Sequence, residues 1–281
     1  MNIGLALSQA KQRLKGSGIV SFNIDANLLL CHTLNKSKEF IIFNPEVNIS
    51  TQQSSDFEEL IARRQKYEPI SHILQKREFY NRDFLVTKNV LDPRADSESL
   101  IEYVLNYFRD DKKLELLEVG VGSGCLIITI LSELKNSNAK AVDISNKAIE
   151  VAKKNSSAHN LGGRLEIIES DLFTNISIEE KFDIIISNPP YIKSADINNL
   201  QDDVKNFEPL MALDGGEDGL DFYRRIAQES QKHLNKDGSI ILEIGAGQEK
   251  EIEEIFQENG FNFINSKKDL ASIIRVLHFK A

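Results

Sequence analysis

The sequence predicts an α/β fold with a mainly parallel sheet, preceded by a small helical domain. From Leu114 onward, short apolar runs alternate with segments of helical periodicity, a pattern typical of βαβ units. Before about residue 70, apolar residues recur at helical spacing alone. The length of 281 residues suits one full α/β domain and a smaller companion, because domains usually contain ~100–200 residues.

Residues 1–75 are predicted to form the helical domain. Gly16 and Gly18 predict a stop between two helices. Asn23 and either Ser50 or Thr51 are candidate N-caps of later helices, because short polar side chains satisfy free amides at helix starts. Two roles are open for this domain, a packing module or a docking module for a partner.

A β-hairpin is predicted between Glu78 and Leu91, within a linker at residues 76–94. Apolar and polar residues alternate there, and residues 81–83 supply turn-forming side chains. A helix is predicted to follow at Asp96–Phe108.

Residues 95–281 are predicted to form the α/β domain. Its strand candidates are Leu114–Val119, Lys140–Val142, Leu165–Ile168, Phe182–Ser187 and Ser239–Ile244. Helices are predicted between them near 125–135, 146–158, 221–234 and 248–259. The last two apolar runs, Phe261–Ile264 and Ile273–Phe279, have no clear helix between them. They predict an antiparallel hairpin at the edge of the sheet.

The net charge of −9 argues against loose binding to nucleic acid, which depends on neutralisation of phosphates by Lys and Arg. The charge is uneven along the chain. Residues 1–90 carry 12 Lys and Arg against 9 Asp and Glu, a net charge of +3. The basic segment favours an acidic or RNA-bound partner for the N-terminal domain, and no direct DNA binding is expected.

The sequence predicts a cytoplasmic protein with no membrane partner. No signal peptide is recognisable at the N-terminus. The longest apolar runs, such as Cys125–Leu131, are far shorter than the ~20 residues of a membrane-spanning helix. The two cysteines, Cys31 and Cys125, lie too far apart in sequence to suggest a metal pair or a disulfide framework. No metal site is predicted.

A glycine-rich turn follows the first predicted strand. The strand ends with Glu118 and Val119, and the predicted cofactor-binding residues are Glu118, Gly120, Val121, Gly122, Ser123 and Gly124. Glycines at a strand-to-helix turn let the backbone approach a ligand and direct helix amides at it. The spacing G-x-G-x-G differs from the G-x-G-x-x-G of dinucleotide sites. It resembles the S-adenosylmethionine loop of seven-stranded methyltransferases, and a purely structural turn is the alternative.

Two further strand ends carry candidate cofactor ligands. Asp143 ends the second predicted strand, where a carboxylate can accept hydrogen bonds from both ribose hydroxyls of a nucleoside. The alternative role for Asp143 is an N-cap of the next helix. Asp171 and Leu172 follow the third strand, and we expect the first to accept from an adenine amine and the second to cover the ring.

Asn188, Pro189, Pro190 and Tyr191 directly follow the apolar strand Phe182–Ser187. Two prolines remove two N–H donors, so this segment presents hydrogen-bond acceptors, which suit an NH₂ group. Tyr191 offers a flat face for stacking on a planar amide or base. Ligands of open α/β sheets bind at the carboxyl ends of strands, which favours a substrate site over a rigid structural turn.

Together these residues resemble the release factor glutamine methyltransferases of the HemK (PrmC) type, over nearly the whole chain. The Asn-Pro-Pro-Tyr segment is shared with adenine-N6 and some guanine-N2 methyltransferases and indicates the chemistry alone. The family is indicated by the helical N-terminus and by the segment at residues 215–221. The other similar segments are Glu78-Phe79, Pro93-Arg94, 118–124, 182–191, 243–245, Asp269-Leu270 and Arg275.

One segment departs from the family pattern. Members usually have Ile-Pro-Arg-Pro-Glu-Thr-Glu, where this chain has Asp-Pro-Arg-Ala-Asp-Ser-Glu at residues 92–98. Ala95 replaces the second proline and Asp96 is a shorter acid, so linker stiffness and local contacts are expected to differ.

The resemblance implies a seven-stranded, Rossmann-like methyltransferase sheet with an antiparallel terminal hairpin and S-adenosylmethionine as cofactor. It implies methylation of the side-chain amide nitrogen (N5) of the glutamine in the Gly-Gly-Gln motif of class-1 peptide chain release factors, the expected partners. Asn188, Pro189 and Tyr191 are the predicted catalytic residues, and together with Pro190 they are predicted to bind substrate. Asn188 is also expected to contact the cofactor.

Two alternatives remain. The first is an amino-group methyltransferase acting on adenine or guanine in DNA or RNA. The acidic charge and the lack of a recognisable target-reading domain count against it. The second is a non-catalytic scaffold that keeps the fold. The intact Gly120, Asp143 and Asn188 count against that alternative.

Overall fold

A computed structural model of the chain describes residues 1–108 and 112–281. These residues form two compact units. Unit 1 contains residues 1–76 and 201–207, and unit 2 contains residues 77–200 and 208–281. The predicted domain boundaries after residues 75 and 94 stay predictions.

The helices are α1 (Ile3–Gly16), α2 (Phe22–Leu34), α3 (Lys38–Phe43), α4 (Thr51–Gln65), α5 (Ile70–Leu74), α6 (Glu98–Tyr107), α7 (Cys125–Glu133), α8 (Asn146–Ala158), α9 (Asp202–Lys205), α10 (Asp221–Ser230) and α11 (Glu249–Glu258). The strands are β1 (Arg77–Phe79), β2 (Arg82–Phe84), β3 (Glu115–Val119), β4 (Asn138–Asp143), β5 (Leu165–Glu169), β6 (Phe182–Ser187), β7 (Leu234–Glu243), β8 (Asn262–Lys268) and β9 (Ile274–Lys280).

Helix starts in unit 1 follow from capping side chains. Of the two predicted caps, Ser50 and Thr51, it is Ser50 that caps α4, in a reciprocal pair with Gln53. The predicted cap Asn23 is wrong, because α2 already begins at Phe22. The position before α2 is Ser21, whose hydroxyl donates to Asp25 in the first turn at 2.8 Å.

Unit 2 contains a seven-stranded sheet in the order β5-β4-β3-β6-β7-β9-β8. Strands β3 to β7 pair in parallel, whereas β9 is antiparallel to both β7 and β8. This arrangement confirms the predicted fold class and its terminal hairpin. The predicted helix at 221–234 is too long, because α10 ends at Ser230 and β7 begins at Leu234, earlier than predicted.

Alternating side chains of the central strands fill two apolar layers, one on each face of the sheet. Ile184 and Ile186 of β6 pack in one layer with Leu116, whereas Ile185 packs in the other with Leu117. Each is fully buried, and burying such a side chain contributes ~1.5–3 kcal/mol. Because both faces are covered, the exposed part of the parallel strands is their carboxyl edge, where functional side chains emerge.

A two-stranded hairpin precedes this sheet in unit 2. Strands β1 and β2 pair antiparallel around Tyr80 and Asn81, which both have positive φ, as type I′ turns require. The turn was predicted too late in the chain, at residues 81–83, because Arg82 and Asp83 both belong to β2. Phe79 and Phe84 pack edge to face at a centroid distance of 6.2 Å. Among residues 1–108 and 112–281, no helix combines the length and apolarity needed to span a membrane.

Candidate active site

A largely apolar cavity of about 280 Å³ lies at the carboxyl edge of the sheet in unit 2. It is bounded by the loops after β3, β4, β5 and β6, by residues 89–97 and by residues 209–212. Most of the predicted site residues line it: Glu118, Gly120, Val121, Gly122, Ser123, Asp143, Asp171, Leu172, Asn188, Pro189 and Pro190. The strand ends thus bring together motifs that are far apart in the sequence.

The glycine turn has the backbone conformation that its composition predicts. Gly120, Gly122 and Gly124 have φ values of 82°, 52° and 80°. A Cβ at either of the first two would meet open space, so their backbone stays accessible from outside. A Cβ at Gly124 would lie 2.8 Å from Cδ1 of Ile128, so the third glycine is required for packing of α7.

Two carboxyl groups flank this turn. Asp143 ends β4, and its two oxygens accept from the backbone amides of Gly122 and Ser145, each at 2.9 Å. Burial raises the pKa of Asp143, and the backbone amides of Gly122, Ser145 and Ile144 oppose this rise. Glu118 is buried and accepts from the Ile127 amide at 3.3 Å. Burial raises the pKa of Glu118 well above its ordinary value.

Asp171 and Leu172 lie on the cavity wall after β5. Asp171 accepts from the guanidinium of Arg225 at 2.8 Å, and Arg225 also lines the cavity. Leu172 is buried and has a φ of 49°, in the left-handed region. This backbone conformation sets the position of its side chain. Arg225 lies on α10, far along the chain, and no sequence motif indicated it.

The Asn-Pro-Pro segment forms the cavity wall directly after β6. Ser187, the last residue of the strand, donates to the carbonyl of Val119 at 2.7 Å and ties β6 to β3. The half-buried Asn188 donates through Nδ2 to the hydroxyl of Ser97 at 3.3 Å. Pro189 and Pro190 line the cavity and offer no backbone donors.

Tyr191 lies beside this wall and is absent from the described residues that line the cavity. Its half-buried ring packs against one apolar layer, and its edge faces Gly245, where a Cβ would lie 3.0 Å from Cδ2. Its carbonyl accepts from Nε2 of Gln248 at 3.1 Å. Burial raises the pKa of Tyr191.

The segment at residues 215–221 braces the Asn-Pro-Pro-Tyr backbone. The Gly215 amide donates to the carbonyl of Ile192 at 2.8 Å, and Ile192 donates to Leu213 at 3.0 Å. A Cβ at Gly215 would lie 2.8 Å from the Pro190 oxygen, so the close approach of the two chains requires glycine. This packing explains the need for glycine in a segment that the sequence identified only by its resemblance to the family.

Two buried polar residues next to Asn188 were missed by sequence reasoning, Ser97 in the lining of the cavity and Glu243 behind it. Ser97 precedes α6, and Glu243 ends β7 with 2% of its surface exposed. An acid that ends the apolar run Ile240–Leu242 was the available signal for Glu243. Ser97 carried no comparable signal.

Two family models match the chain. Residues 6–74 match the PrmC N-terminal domain, and residues 94–204 match the methyltransferase small domain. The chain is 41% identical over 278 residues to a release factor glutamine methyltransferase of Clostridium acetobutylicum, covering 99% of this chain and 98% of that protein. It is 40% identical over 297 residues to a bifunctional methyltransferase of Rickettsia bellii, covering 96% of this chain and 53% of that protein.

The chain spans 53–58% of the length of three Rickettsia relatives named bifunctional methyltransferase. Among solved structures, a methyltransferase from Pyrococcus furiosus superposes with a TM-score of 0.55 at 19% identity. That superposition covers 72% of this chain and 90% of the other. This likeness shows a shared fold. Since the Clostridium acetobutylicum protein is matched over nearly its whole length, the chain belongs to the release factor glutamine methyltransferase family.

Proposed function

We propose that this chain transfers a methyl group from S-adenosylmethionine to the side-chain amide nitrogen (N5) of the glutamine in the Gly-Gly-Gln motif of class-1 peptide chain release factors. The observation that carries the proposal is a single cavity lined by residues 120–123 of the glycine turn, by Asp143 and by the wall at residues 188–190. Two relatives matched over nearly their full length are named release factor glutamine methyltransferase.

The cavity fits the nucleoside and the amino acid parts of the proposed cofactor. Gly120 and Gly122 leave open space in front of their backbone, so a ligand can approach it closely. Each Asp143 oxygen accepts one amide and has a second lone pair available for a ribose hydroxyl. Leu172 supplies apolar cover for a base. When bound, S-adenosylmethionine supplies a methyl group already activated by a sulfonium.

An amide nitrogen is a poor nucleophile because its lone pair is delocalised, so the protein must orient it. The side-chain oxygen of Asn188 and the carbonyl of Pro189 are acceptors for the two hydrogens of the substrate NH₂. Fixed orientation of this sort lowers barriers by up to ~7–11 kcal/mol. The same acceptors stabilise positive charge that develops on the nitrogen. We propose that Tyr191 packs at the rim of the cavity and that its ring supports the plane of the substrate amide.

Unit 1 is the proposed docking module for the release factor. Several apolar side chains of this unit are exposed: Leu5, Val20, Ile24, Leu28, Ile42 and Phe43. Exposed apolar residues suit contact with a protein better than contact with a phosphate backbone. A cytoplasmic location stays a prediction.

Mass spectrometry of an intact release factor after incubation with the protein and labelled S-adenosylmethionine tests the proposal. We expect one methyl group on the Gly-Gly-Gln peptide and none on a Gln→Ala variant. Double-stranded DNA and RNA belong in parallel reactions. Methylation of a nucleic acid without methylation of the release factor would overturn the proposed substrate.

A further inference from the structure

Glu243 is a buried carboxyl that lies behind the cavity wall. Ser97 and Asn188, which both line the cavity, have side chains within hydrogen-bonding reach of it. The Asn188 Nδ2 group also donates to the Ser97 hydroxyl at 3.3 Å. Among the described residues, the Glu243 Oε2 atom has no hydrogen-bond partner. A buried carboxyl of this kind is costly, so its position calls for an explanation.

We propose that Ser97 and Glu243 are positioning residues that fix the carboxamide of Asn188 with its NH₂ group inward and its oxygen toward the cavity. This inference rests on the proposed function, because the oxygen is there the acceptor for the substrate amide. Asn188 touches the substrate, and the other two residues act through it.

The direction of the hydrogen bonds follows from the chemistry of Glu243. An ionised carboxylate can only accept, so it draws the hydroxyl hydrogen of Ser97 toward itself. The Ser97 oxygen is then free to accept, and it accepts from Nδ2 of Asn188. An Asn188 carboxamide turned by 180° would present an oxygen to two acceptors. Only one of the two amide orientations therefore satisfies the chain of bonds.

The surrounding structure holds Glu243 in place. Tyr223 donates from its hydroxyl to the Glu243 carbonyl at 2.9 Å. On the other side, Glu243 pairs with Val276 of β9, and the Ile244 amide donates to the Arg275 carbonyl at 2.9 Å. Because α10 and β9 hold the backbone of Glu243, its side chain has a fixed position from which it can orient Ser97 and Asn188.

Protonation of Glu243 would allow the opposite set of hydrogen bonds, because a protonated carboxyl can donate to the Ser97 oxygen. The Ser97 hydroxyl could then donate to Asn188, and the orientation of the Asn188 carboxamide would no longer be fixed. Burial raises the pKa of Glu243 to about 7, against the effects of Ser97 and Arg275. The other titratable groups that face it are Arg275 of β9, Asp96 before α6, Tyr191, Tyr223 of α10 and Cys125 of α7. Burial raises the pKa of Cys125 to about 12 and also raises that of each tyrosine. Glu243 is therefore the group of this set that titrates near neutral pH.

The test compares single-turnover methylation of an intact release factor by the full chain and its variants. Glu243→Gln keeps size but adds a donor, and Ser97→Ala removes the bridging hydroxyl. Each should lower the rate about 10- to 100-fold, the range found for partners that orient metal ligands. The affinity for S-adenosylmethionine and the KM for the release factor should stay within about twofold. Ser97→Thr keeps the hydroxyl and should restore most of the rate.

Two measurements separate positioning from a loss of structure. The wild-type rate should rise with pH through about 7, and Glu243→Gln should flatten this rise. In an Asn188→Ala background, Glu243→Gln should cause almost no further loss of rate, because Glu243 acts on the substrate only through Asn188. Ser239→Ala is the matched control, since Ser239 is a buried serine in the middle of the same strand and lies outside the lining of the cavity.

Wild-type-like rates in both Glu243→Gln and Ser97→Ala would overturn the inference. An equal loss from Glu243→Gln with and without Asn188 would do the same. If the wild-type chain methylates no release factor, the proposed function fails and this inference falls with it. An active wild type with unaffected variants overturns the inference alone.

Discussion

The Gly122 amide donates to Oδ2 of Asp143 at 2.9 Å, so the glycine turn and the end of β4 are directly connected. Asp143 also accepts from Ser145, which leads into α8. A single carboxylate thus joins the loop after β3 to the helix after β4. Its removal should disturb the turn as well as any contact with a ligand.

Asp143→Ala should weaken S-adenosylmethionine binding by at least about 1.5–3 kcal/mol, the worth of hydrogen bonds to a charged group. Calorimetry gives the affinity. Glu169→Ala is the matched control, because Glu169 is also an acid at a strand end but lies outside the lining of the cavity. Unchanged affinity in Asp143→Ala would remove this residue from the site.

Gly122→Val should abolish cofactor binding while unit 1 stays folded. The φ of 52° is unfavourable for a β-branched residue, although the space in front of the glycine is open. Backbone strain and obstruction of the ligand therefore act together. Calorimetry and circular dichroism measure the two properties, and binding at wild-type affinity would contradict the predicted role of the turn.

Asn188→Ala should reduce methyl transfer by ~10²–10³ or more, with much less effect on cofactor affinity, because its oxygen matters most as charge develops on nitrogen. Asn188→Asp keeps an acceptor and should retain part of the activity. Tyr191→Phe should have a mild effect, because packing needs the ring, whereas Tyr191→Ala should be severe. Single-turnover transfer to a Gly-Gly-Gln release factor gives the rates, with the Gln→Ala substrate as blank. Full activity of Asn188→Ala would place the active site elsewhere.

Ile24→Ser and Phe43→Ser should each raise the KM for an intact release factor, by roughly 10-fold if they lie at an interface hot spot. Both side chains are exposed in unit 1. Substitution is a cleaner test than deletion of residues 1–75, because residues 201–207 belong to the same unit. Cofactor affinity should not change, and Gln52→Ala serves as an exposed polar control. Unaltered kinetics in both apolar variants would contradict docking at these residues.

Glu243→Gln should flatten the dependence of the free energy of unfolding on pH. Burial raises the pKa of Glu243 from 4.5 to about 7, so the folded state binds its proton more tightly than the unfolded chain does. The carboxyl therefore stabilises the fold below pH 4.5, and this contribution is lost as the pH rises through about 7. Between about pH 5 and about pH 8, the loss is roughly 2–3 kcal/mol.

Urea unfolding of the wild type and of Glu243→Gln at these two pH values checks the prediction. Relative to the wild type, Glu243→Gln should have a larger free energy of unfolding at the higher pH than at the lower pH. Glu118 is also buried with a raised pKa, but it is present in both proteins and cancels in the difference. A difference that does not change with pH would mean that Glu243 titrates normally in the folded state.

The sequence predicted β6 to the residue, because an apolar run bounded by polar residues has the length of a buried strand. The start of β7 was not predictable in this way. Between Leu234 and Ser239 the strand has an irregular register with β6, and Asp237 has a φ of 63°. Such irregularities depend on pairing with a neighbour and leave no periodic pattern in the sequence.

The predicted cavity residues could be found because each lies at or just after the carboxyl end of a strand, and parallel strands end at the same edge. The contacts of Ser97 and Arg225 could not, because they join segments that are far apart in the chain. Only the folded structure brings Ser97 next to Asn188 and Arg225 next to Asp171. The roles assigned to individual cavity residues stay predictions until the variants are measured.

The insertion of β9 between β7 and β8 has a consequence for synthesis of the chain. On a ribosome, β7 and β8 emerge before the strand that pairs with both of them. Until Ile274–Lys280 has been made, one edge of β7 keeps unpaired backbone groups next to buried isoleucines. Exposed edges of this kind recruit other strands, so we expect the β7 edge to stay open to aggregation until β9 has emerged and paired with it.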